Sequence, residues 1–117
     1  MSLESDLNTL LKTVCPRTFP DVAPSGTAAP FIAWQALGGE SLRYLDNTAP
    51  DKRNTYMQVN VYSKTRAEAL ALIRAAESAM CASPAIIVKP QGEPISSYED
   101  GTQLYGSIQR FSIWAAR

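Results

Sequence analysis

The passage from a strand into a helix at residues 53–69 constrains the fold of this chain more than any other sequence feature. Polar and apolar side chains alternate along its first part, as expected for a strand, whose successive side chains point to opposite faces of a sheet. The alternation assigns Met57, Val59 and Val61 to one face and Tyr56, Gln58, Asn60 and Tyr62 to the other. The next residues, Thr65-Arg66-Ala67-Glu68, form a capping box, in which the Thr65 hydroxyl accepts the Glu68 amide and the Glu68 carboxylate accepts the Thr65 amide. The pattern predicts a strand, a helix and the joint between them.

Two helices are predicted from apolar residues at helical spacing. The first can be capped by Ser2 or Ser5 and runs to Val14 or Cys15, where Pro16 ends it. The second spans residues 66–82 and has a single apolar stripe on one side. The stripe consists of Ala69, Leu72, Ile73, Ala76 and Met80.

The remaining strands are predicted to be short, apart from the last. One lies within residues 17–22, where Pro20 restricts it to an edge or to an irregular extension, and others lie at residues 31–37, 85–89 and 95–99. The final strand, residues 103–115, changes phase, because its apolar residues have one parity before residue 109 and the other parity after it. A β-bulge near Gln109 and Arg110 would reconcile the two halves. The connection from Glu40 to Lys52 is long for a compact domain, and we expect it to protrude as a hairpin arm.

The size and the element order together predict the fold class. A chain of 117 residues with 45% apolar residues is sufficient for one domain with its own core, so we expect a single domain over residues 1–117. The order of helices and strands predicts an α+β fold. The expected architecture is a two-layer sandwich, in which a mostly antiparallel sheet of about four to six strands carries two helices on one face.

The composition excludes most catalytic chemistry. The chain has no histidine, which is the usual general base near neutral pH and the usual partner of a catalytic serine or cysteine. Cys15 and Cys81 are predicted to be buried, reduced thiols, and the scattered carboxylates match no calcium loop. We therefore predict no catalytic, cofactor-binding or metal-binding residue. A formal net charge of zero argues against a partner held by phosphates, and no apolar run approaches the roughly 18 residues of a membrane span.

The tyrosine-bearing face of the central strand predicts a contact with another protein. Tyrosine is enriched where one end of a side chain is buried and the other is wet, as at protein interfaces. We expect this face and the arm to contact neighbouring subunits, although tyrosines exposed on a face without a partner explain the pattern equally well. The predicted contact residues are Leu42, Arg43, Tyr44, Leu45, Asp46, Lys52, Arg53, Tyr56, Gln58, Asn60 and Tyr62.

The order of several segments resembles a family of phage and prophage proteins, the tail-completion or tail-terminator proteins that join head and tail. The resemblance covers nearly the whole chain and includes no catalytic signature. It rests on the leucine-rich first helix, residues 17–24 (Arg-Thr-Phe-Pro-Asp-Val-Ala-Pro), residues 29–32 (Ala-Pro-Phe-Ile), the strand that passes through Ser63-Lys64-Thr65 into an alanine-rich helix, and the closing strand at residues 105–113.

The resemblance implies a non-enzymatic part of the virion tail, present in the bacterial host cytoplasm during assembly. Members of the family form rings, often hexameric, that cap the growing tail tube, stop its polymerisation and present a surface for joining the head. The implied partners are copies of the same chain, the tail tube protein and neck or head-completion proteins, without direct binding to nucleic acid or a membrane. Three alternatives remain at this point: another neck component such as an adaptor or stopper, a small nucleic-acid-binding or regulatory α+β module, and a small enzyme without histidine.

Overall fold

Two helices and six strands make up the computed structural model, which describes residues 3–39, 52–84 and 86–116. The elements follow in the order α1 (Leu3–Val14), β1 (Thr18–Pro20), β2 (Phe31–Ala36), β3 (Lys52–Ser63), α2 (Arg66–Ala82), β4 (Ile87–Pro90), β5 (Ile95–Glu99) and β6 (Leu104–Ala116). This order confirms the predicted sequence of helices and strands, with both helices at the expected bounds.

The six strands form one sheet. Its order is β1-β2-β3-β6-β4, and β5 pairs with β6 beside β4. The β1–β2 pair is parallel, whereas β3 is antiparallel to both β2 and β6, and β4 and β5 are antiparallel to β6. The α+β class with a mostly antiparallel sheet is therefore confirmed, and β1 is the edge strand that Pro20 predicted.

The core lies between one face of the sheet and the two helices. Helix α1 packs on α2 and β1, and α2 packs on β3, β4 and β6. On the sheet side, the predicted inward residues Met57, Val59 and Val61 are fully buried. Ile73 and Met80 of α2 are also fully buried, and each large apolar side chain removed from water contributes about 1.5–3 kcal/mol. Burial of these residues fixes which face of β3 points away from the helices.

The joint between β3 and α2 is held by three side chains rather than two. The Thr65 hydroxyl accepts the Glu68 amide at 3.2 Å, as predicted. The Glu68 carboxylate does not accept the Thr65 amide as the capping box predicted. It accepts the hydroxyl of Ser63, and the Thr65 amide donates to the same hydroxyl oxygen at 3.4 Å. The buried Ser63 hydroxyl can do both, because it is one donor and also an acceptor.

The predicted β-bulge in the last strand is wrong. β3 and β6 pair without interruption from Lys52 opposite Ala116 to Ser63 opposite Tyr105. The phase change arises because the helix-covered face of β6 becomes polar: Ser107 and Gln109 are buried there, with 2% exposure each. The Gln109 amide nitrogen donates to the Glu77 carboxylate of α2 and to the Gly92 carbonyl, both at 3.0 Å, and these bonds offset part of the cost of burial.

Three smaller expectations also differ from the structure. β3 begins at Lys52, so Lys52 and Arg53 belong to the sheet rather than to the connection before it. β4 covers Ile87–Pro90 instead of residues 85–89. Both cysteines are free thiols, but only Cys15 is buried; Cys81 is exposed at the end of α2.

Candidate functional site

The face of the sheet that points away from both helices is the candidate site, and we call it the outer face. Strand parity and pairing place on it alternate residues of β2, β3, β6 and β5. They are Phe31, Ala33 and Gln35 of β2, Asn54, Tyr56, Gln58, Asn60 and Tyr62 of β3, Leu104, Gly106, Ile108, Arg110, Ser112 and Trp114 of β6, and Ile95, Ser97 and Glu99 of β5.

The four predicted face residues of β3 are brought together as expected, and each is half-buried. Polar side chains in the middle of the face are joined by hydrogen bonds. The Gln58 amide nitrogen donates to Asn60 Oδ1 at 3.1 Å, and Arg110 Nε donates to Gln58 Oε1 at 3.3 Å. This band therefore presents ordered amide and guanidinium groups beside the aromatic side chains.

An aromatic pair lies at the β5 end of the outer face. The rings of Phe31 and Tyr62 have centroids 5.0 Å apart. Gly106 lies beside this pair, and a Cβ there would lie 2.7 Å from Ser97 Oγ and 3.4 Å from the Tyr62 ring, so glycine allows Ser97 to approach closely. Burial, with a smaller effect of the Glu99 charge, raises the pKa of Tyr62. Tyr62 is therefore a neutral amphipathic group at physiological pH, suited to contact with another protein.

The loop of residues 21–30 crosses the outer face because β1 and β2 run parallel. A parallel pair requires a crossover connection, and this one returns over the sheet as an irregular loop. Between the loop and the sheet lies a groove of about 740 Å³. Its floor includes Phe31, Ala33, Asn60, Tyr62 and Leu104. Two of the predicted contact residues therefore belong to a concave part of the face.

Apolar side chains at the strand edge extend this surface. Ile95 of β5 is 65% exposed, and Ile87 of β4, which pairs with Trp114, is 62% exposed. Scattered exposed apolar residues are normal on protein surfaces, but here they border a face that already carries four half-buried aromatic rings. Such a combination is typical of a protein–protein interface.

The ends of the connection between β2 and β3 are held tightly. The Leu37 amide donates to the Tyr56 carbonyl and the Tyr56 amide donates to the Gly38 carbonyl, both at 2.7 Å. Gly38 has a φ of +88°, which favours glycine, and a Cβ on Gly39 would lie 2.3 Å from the Asn54 carbonyl oxygen. The pairing of β2 with β3 therefore continues to the point where the connection leaves the sheet.

The other predicted contact residues lie elsewhere. Leu42, Arg43, Tyr44, Leu45 and Asp46 are outside the described residues, and Lys52 starts β3. Arg53 is on the helix-covered side of β3, where its guanidinium contacts Glu4 of α1 at 2.5 Å. The hydrogen bond from Arg53 holds the pKa of the Glu4 carboxyl below its usual value. Arg53 is thus engaged within the chain, and its contribution to a subunit contact stays a prediction.

Within the described ranges, no group of three or more cysteine, aspartate or glutamate side chains could hold a metal ion. The outer face carries aromatic, aliphatic and amide groups, which suit binding rather than acid–base catalysis. The helices of the described part include none long and apolar enough to cross a membrane.

Sequence reasoning missed several residues of the site. Leu104 and Ile108 lie on the outer face. Their parity is opposite to that of the apolar residues after residue 109, and this difference was the signal that suggested a bulge. Phe31 was placed in a strand, but its contact with Tyr62 depends on strand pairing. The groove itself depends on the path of the 21–30 loop across the outer face, and the local sequence does not predict that path.

Comparison with known proteins identifies a family for this chain. No curated protein matches the chain. The family described as tail completion protein gp17 matches residues 3–116, which is nearly its whole length. The family resemblance noted in the sequence is thus confirmed, and the outer face belongs to a component of a phage tail. The chain is a member of the tail completion protein gp17 family.

Proposed function

We propose that this protein closes the end of the phage tail tube as a ring of its own copies. The ring stops tube polymerisation and presents the surface to which the filled head is joined. Its partners are neighbouring copies, the tail tube protein and the neck or head-completion proteins, and its role is structural rather than enzymatic. Membership of a tail completion family supports a role in the phage tail.

The outer face is the observation that carries this proposal. The strands β2, β3, β5 and β6 have 6, 12, 5 and 13 residues, and 36 residues of about 3.3 Å in strands spaced by about 4.8 Å give a surface of about 570 Å². A stable protein–protein contact needs about 800 Å² on each partner, so this face supplies most of that area and the neighbouring loop adds to it. Both helices pack on the other side of the sheet, which leaves this face to other molecules.

The arm predicted at residues 40–53 is the second part of the proposed contact. Leu42, Tyr44 and Leu45 supply apolar area, and Arg43 and Asp46 supply charges that set the register of neighbouring copies. Lys52 and Arg53, at the start of β3, complete this set. The pairing of Gly38 and Gly39 with β3 gives the arm a fixed origin at one end of the sheet.

Removal of the gene tests the function directly. Phage particles that lack the protein should have tails of irregular length without heads, and added purified protein should restore uniform tails that join heads. Electron microscopy of the protein mixed with isolated tail tubes should show density on one end of each tube. Tails of normal length that join heads in the absence of the gene would refute the proposal.

Matched surface substitutions connect the function to the outer face. Gln35→Asp places a charge at an exposed position of this face, and Ala71→Asp places the same charge on the exposed side of α2. Only Gln35→Asp should reduce binding to tube ends, because a charge without a partner is costly in an interface. The triple change of Leu42, Tyr44 and Leu45 to serine should leave a folded monomer that does not assemble. Equal binding by all of these proteins would contradict the assignment.

A further inference from the structure

The groove on the outer face is open because of the residues that form its wall. Residues 23–29 read Ala-Pro-Ser-Gly-Thr-Ala-Ala, and all of them line the groove. Their short side chains leave about 740 Å³ between the loop and the sheet. Folded proteins contain few voids larger than a water molecule, and concave apolar volumes of about 300–1,000 Å³ are typical of binding sites. The groove therefore has the size and shape to take side chains from outside.

The lining of the groove defines what it can bind. Phe31, Tyr62 and Leu104 form an aromatic and aliphatic floor. Lys64 brings one positive charge to the lining, and Asp21 and Glu99 bring two negative charges. An occupant that fits has two or three large apolar side chains with charges of both signs beside them, because apolar groups fill the floor while charges of opposite sign pair with the lining.

Residues 40–51 of this chain have that chemistry. Leu42, Tyr44 and Leu45 are large and apolar, and Arg43 and Asp46 carry charges of both signs within the same five residues. Arg43 complements Glu99 and Asp46 complements Lys64.

The segment cannot fill the groove of its own chain with all three of its large apolar side chains. It leaves the sheet where Gly39 packs against Asn54 and Thr55, and the nearest floor residue of β3, Asn60, lies five residues beyond Thr55, about 16 Å away. Leu42 is three residues from Gly39, so it lies at most about 11 Å from Gly39 even when the chain is fully stretched. A contact of the whole segment with the groove therefore joins two different molecules.

We propose that the groove beneath residues 21–30 receives the segment 40–51 of a neighbouring copy. This inference rests on the proposed function and specifies the contact from which its ring is built. The contact is heterologous, since one end of a copy binds the opposite end of the next. Repetition of such a contact gives a closed ring when a whole number of these rotations makes one full turn. Leu42, Tyr44 and Leu45 contact the floor, and Arg43 and Asp46 pair with Glu99 and Lys64.

Disulfide trapping between copies of the full-length protein tests the contact. All proteins carry Cys81→Ser, which removes the exposed native thiol. One protein also carries Tyr44→Cys, and a second carries Thr102→Cys in the groove lining. The control partner carries Ala75→Cys on the exposed side of α2. The pairs are mixed at about 1 mM under mild oxidation and separated by denaturing electrophoresis.

The mixture of Tyr44→Cys with Thr102→Cys should give at least tenfold more of the mixed dimer than the mixture with Ala75→Cys. A single protein with both Tyr44→Cys and Thr102→Cys should give a ladder of dimers, trimers and larger species. Equal yields in the two mixtures, or a ladder that stops at a dimer, would overturn the inference. A second measurement is independent of cysteine chemistry: Ala28→Trp, at an exposed position of the groove wall, should reduce trapping at least tenfold while the far-UV circular dichroism spectrum is unchanged.

The same proteins separate this inference from the proposed function. If trapping succeeds but the protein neither binds tail tubes nor controls tail length, the groove contact stands and the function is wrong. If the Tyr44→Cys and Thr102→Cys proteins without Ala28→Trp are not trapped, and the protein with Ala28→Trp caps tubes as well as the unaltered protein, the function stands and the groove contact is wrong.

Discussion

Replacement of Ser63 by alanine should destabilise the protein by about 1–2 kcal/mol. The Ser63 hydroxyl donates to the Glu68 carboxylate and accepts the Thr65 amide. A hydrogen bond to a charged group contributes about 1.5–3 kcal/mol, and we take the lower part of that range because Glu68 is exposed to solvent. The longer bond from the Thr65 amide adds little. With an unfolding entropy of about 2.1 cal/mol/K per residue, this loss lowers the melting temperature by about 4–8 °C.

Urea unfolding at pH 7, followed by far-UV circular dichroism, measures this effect. A double-mutant cycle with Ser63→Ala and Glu68→Ala isolates the contact, and we expect a coupling of about 0.5–1.5 kcal/mol. Ser78→Ala is the matched control, because Ser78 is an exposed serine of α2 and its replacement should change stability by less than about 0.5 kcal/mol.

The cycle distinguishes the two versions of the cap. If the Glu68 carboxylate accepted the Thr65 amide directly, as the local sequence predicts, Ser63→Ala would cost no more than Ser78→Ala. Additive effects of Ser63→Ala and Glu68→Ala would then be observed. That pair of results would refute the three-residue arrangement and restore the two-residue capping box.

Two further predictions concern the start of β3. The Glu4 pKa is lowered by Arg53, so the ion pair stabilises the fold at neutral pH and its contribution is lost as pH falls through the folded pKa. Glu4→Gln should cost less than about 1 kcal/mol at pH 7, because the pair is partly exposed, and the difference from the unaltered protein should vanish in acid; a difference that stays constant from pH 7 to pH 3 would contradict this. Gly39→Ala places a Cβ 2.3 Å from the Asn54 carbonyl oxygen, and overpacking of about 1–3 kcal/mol should speed amide exchange at the start of β3 by about 5- to 150-fold. Gly101→Ala, whose Cβ meets nothing within 4 Å, should leave exchange there unchanged, and equal effects of the two substitutions would exclude the close approach.

Local sequence patterns predicted the elements of the fold well. The bounds of α2 follow from the Thr65 cap, the apolar stripe and Pro84, all of which act within a few residues. The faces of β3 follow from the period of two, because burial of one face fixes which residues lie on the opposite face. The same reasoning failed in β6, where Ser107 and Gln109 are buried by a neighbouring helix that the local pattern does not describe.

The candidate site could be predicted only in part, because local patterns do not describe contacts between distant segments of the chain. The alternation along β3 identified Tyr56, Gln58, Asn60 and Tyr62 as one face, and the structure groups them there. Phe31 and Leu104 join them through pairing with strands that are distant in the sequence. The contribution of the arm residues to a subunit contact stays a prediction.

The sequence by itself determined the two helices, the alternating faces of the central strand and membership of a tail completion family, because these depend on residues close together or on a pattern carried along the chain. Only the tertiary structure decided that β1 runs parallel to β2, that β3 and β6 pair without a bulge, and that the 21–30 loop crosses the outer face above a groove. Each of these depends on contacts between segments far apart in the chain. The free energy of such contacts is set by the whole packed arrangement, and no short stretch of residues contains it.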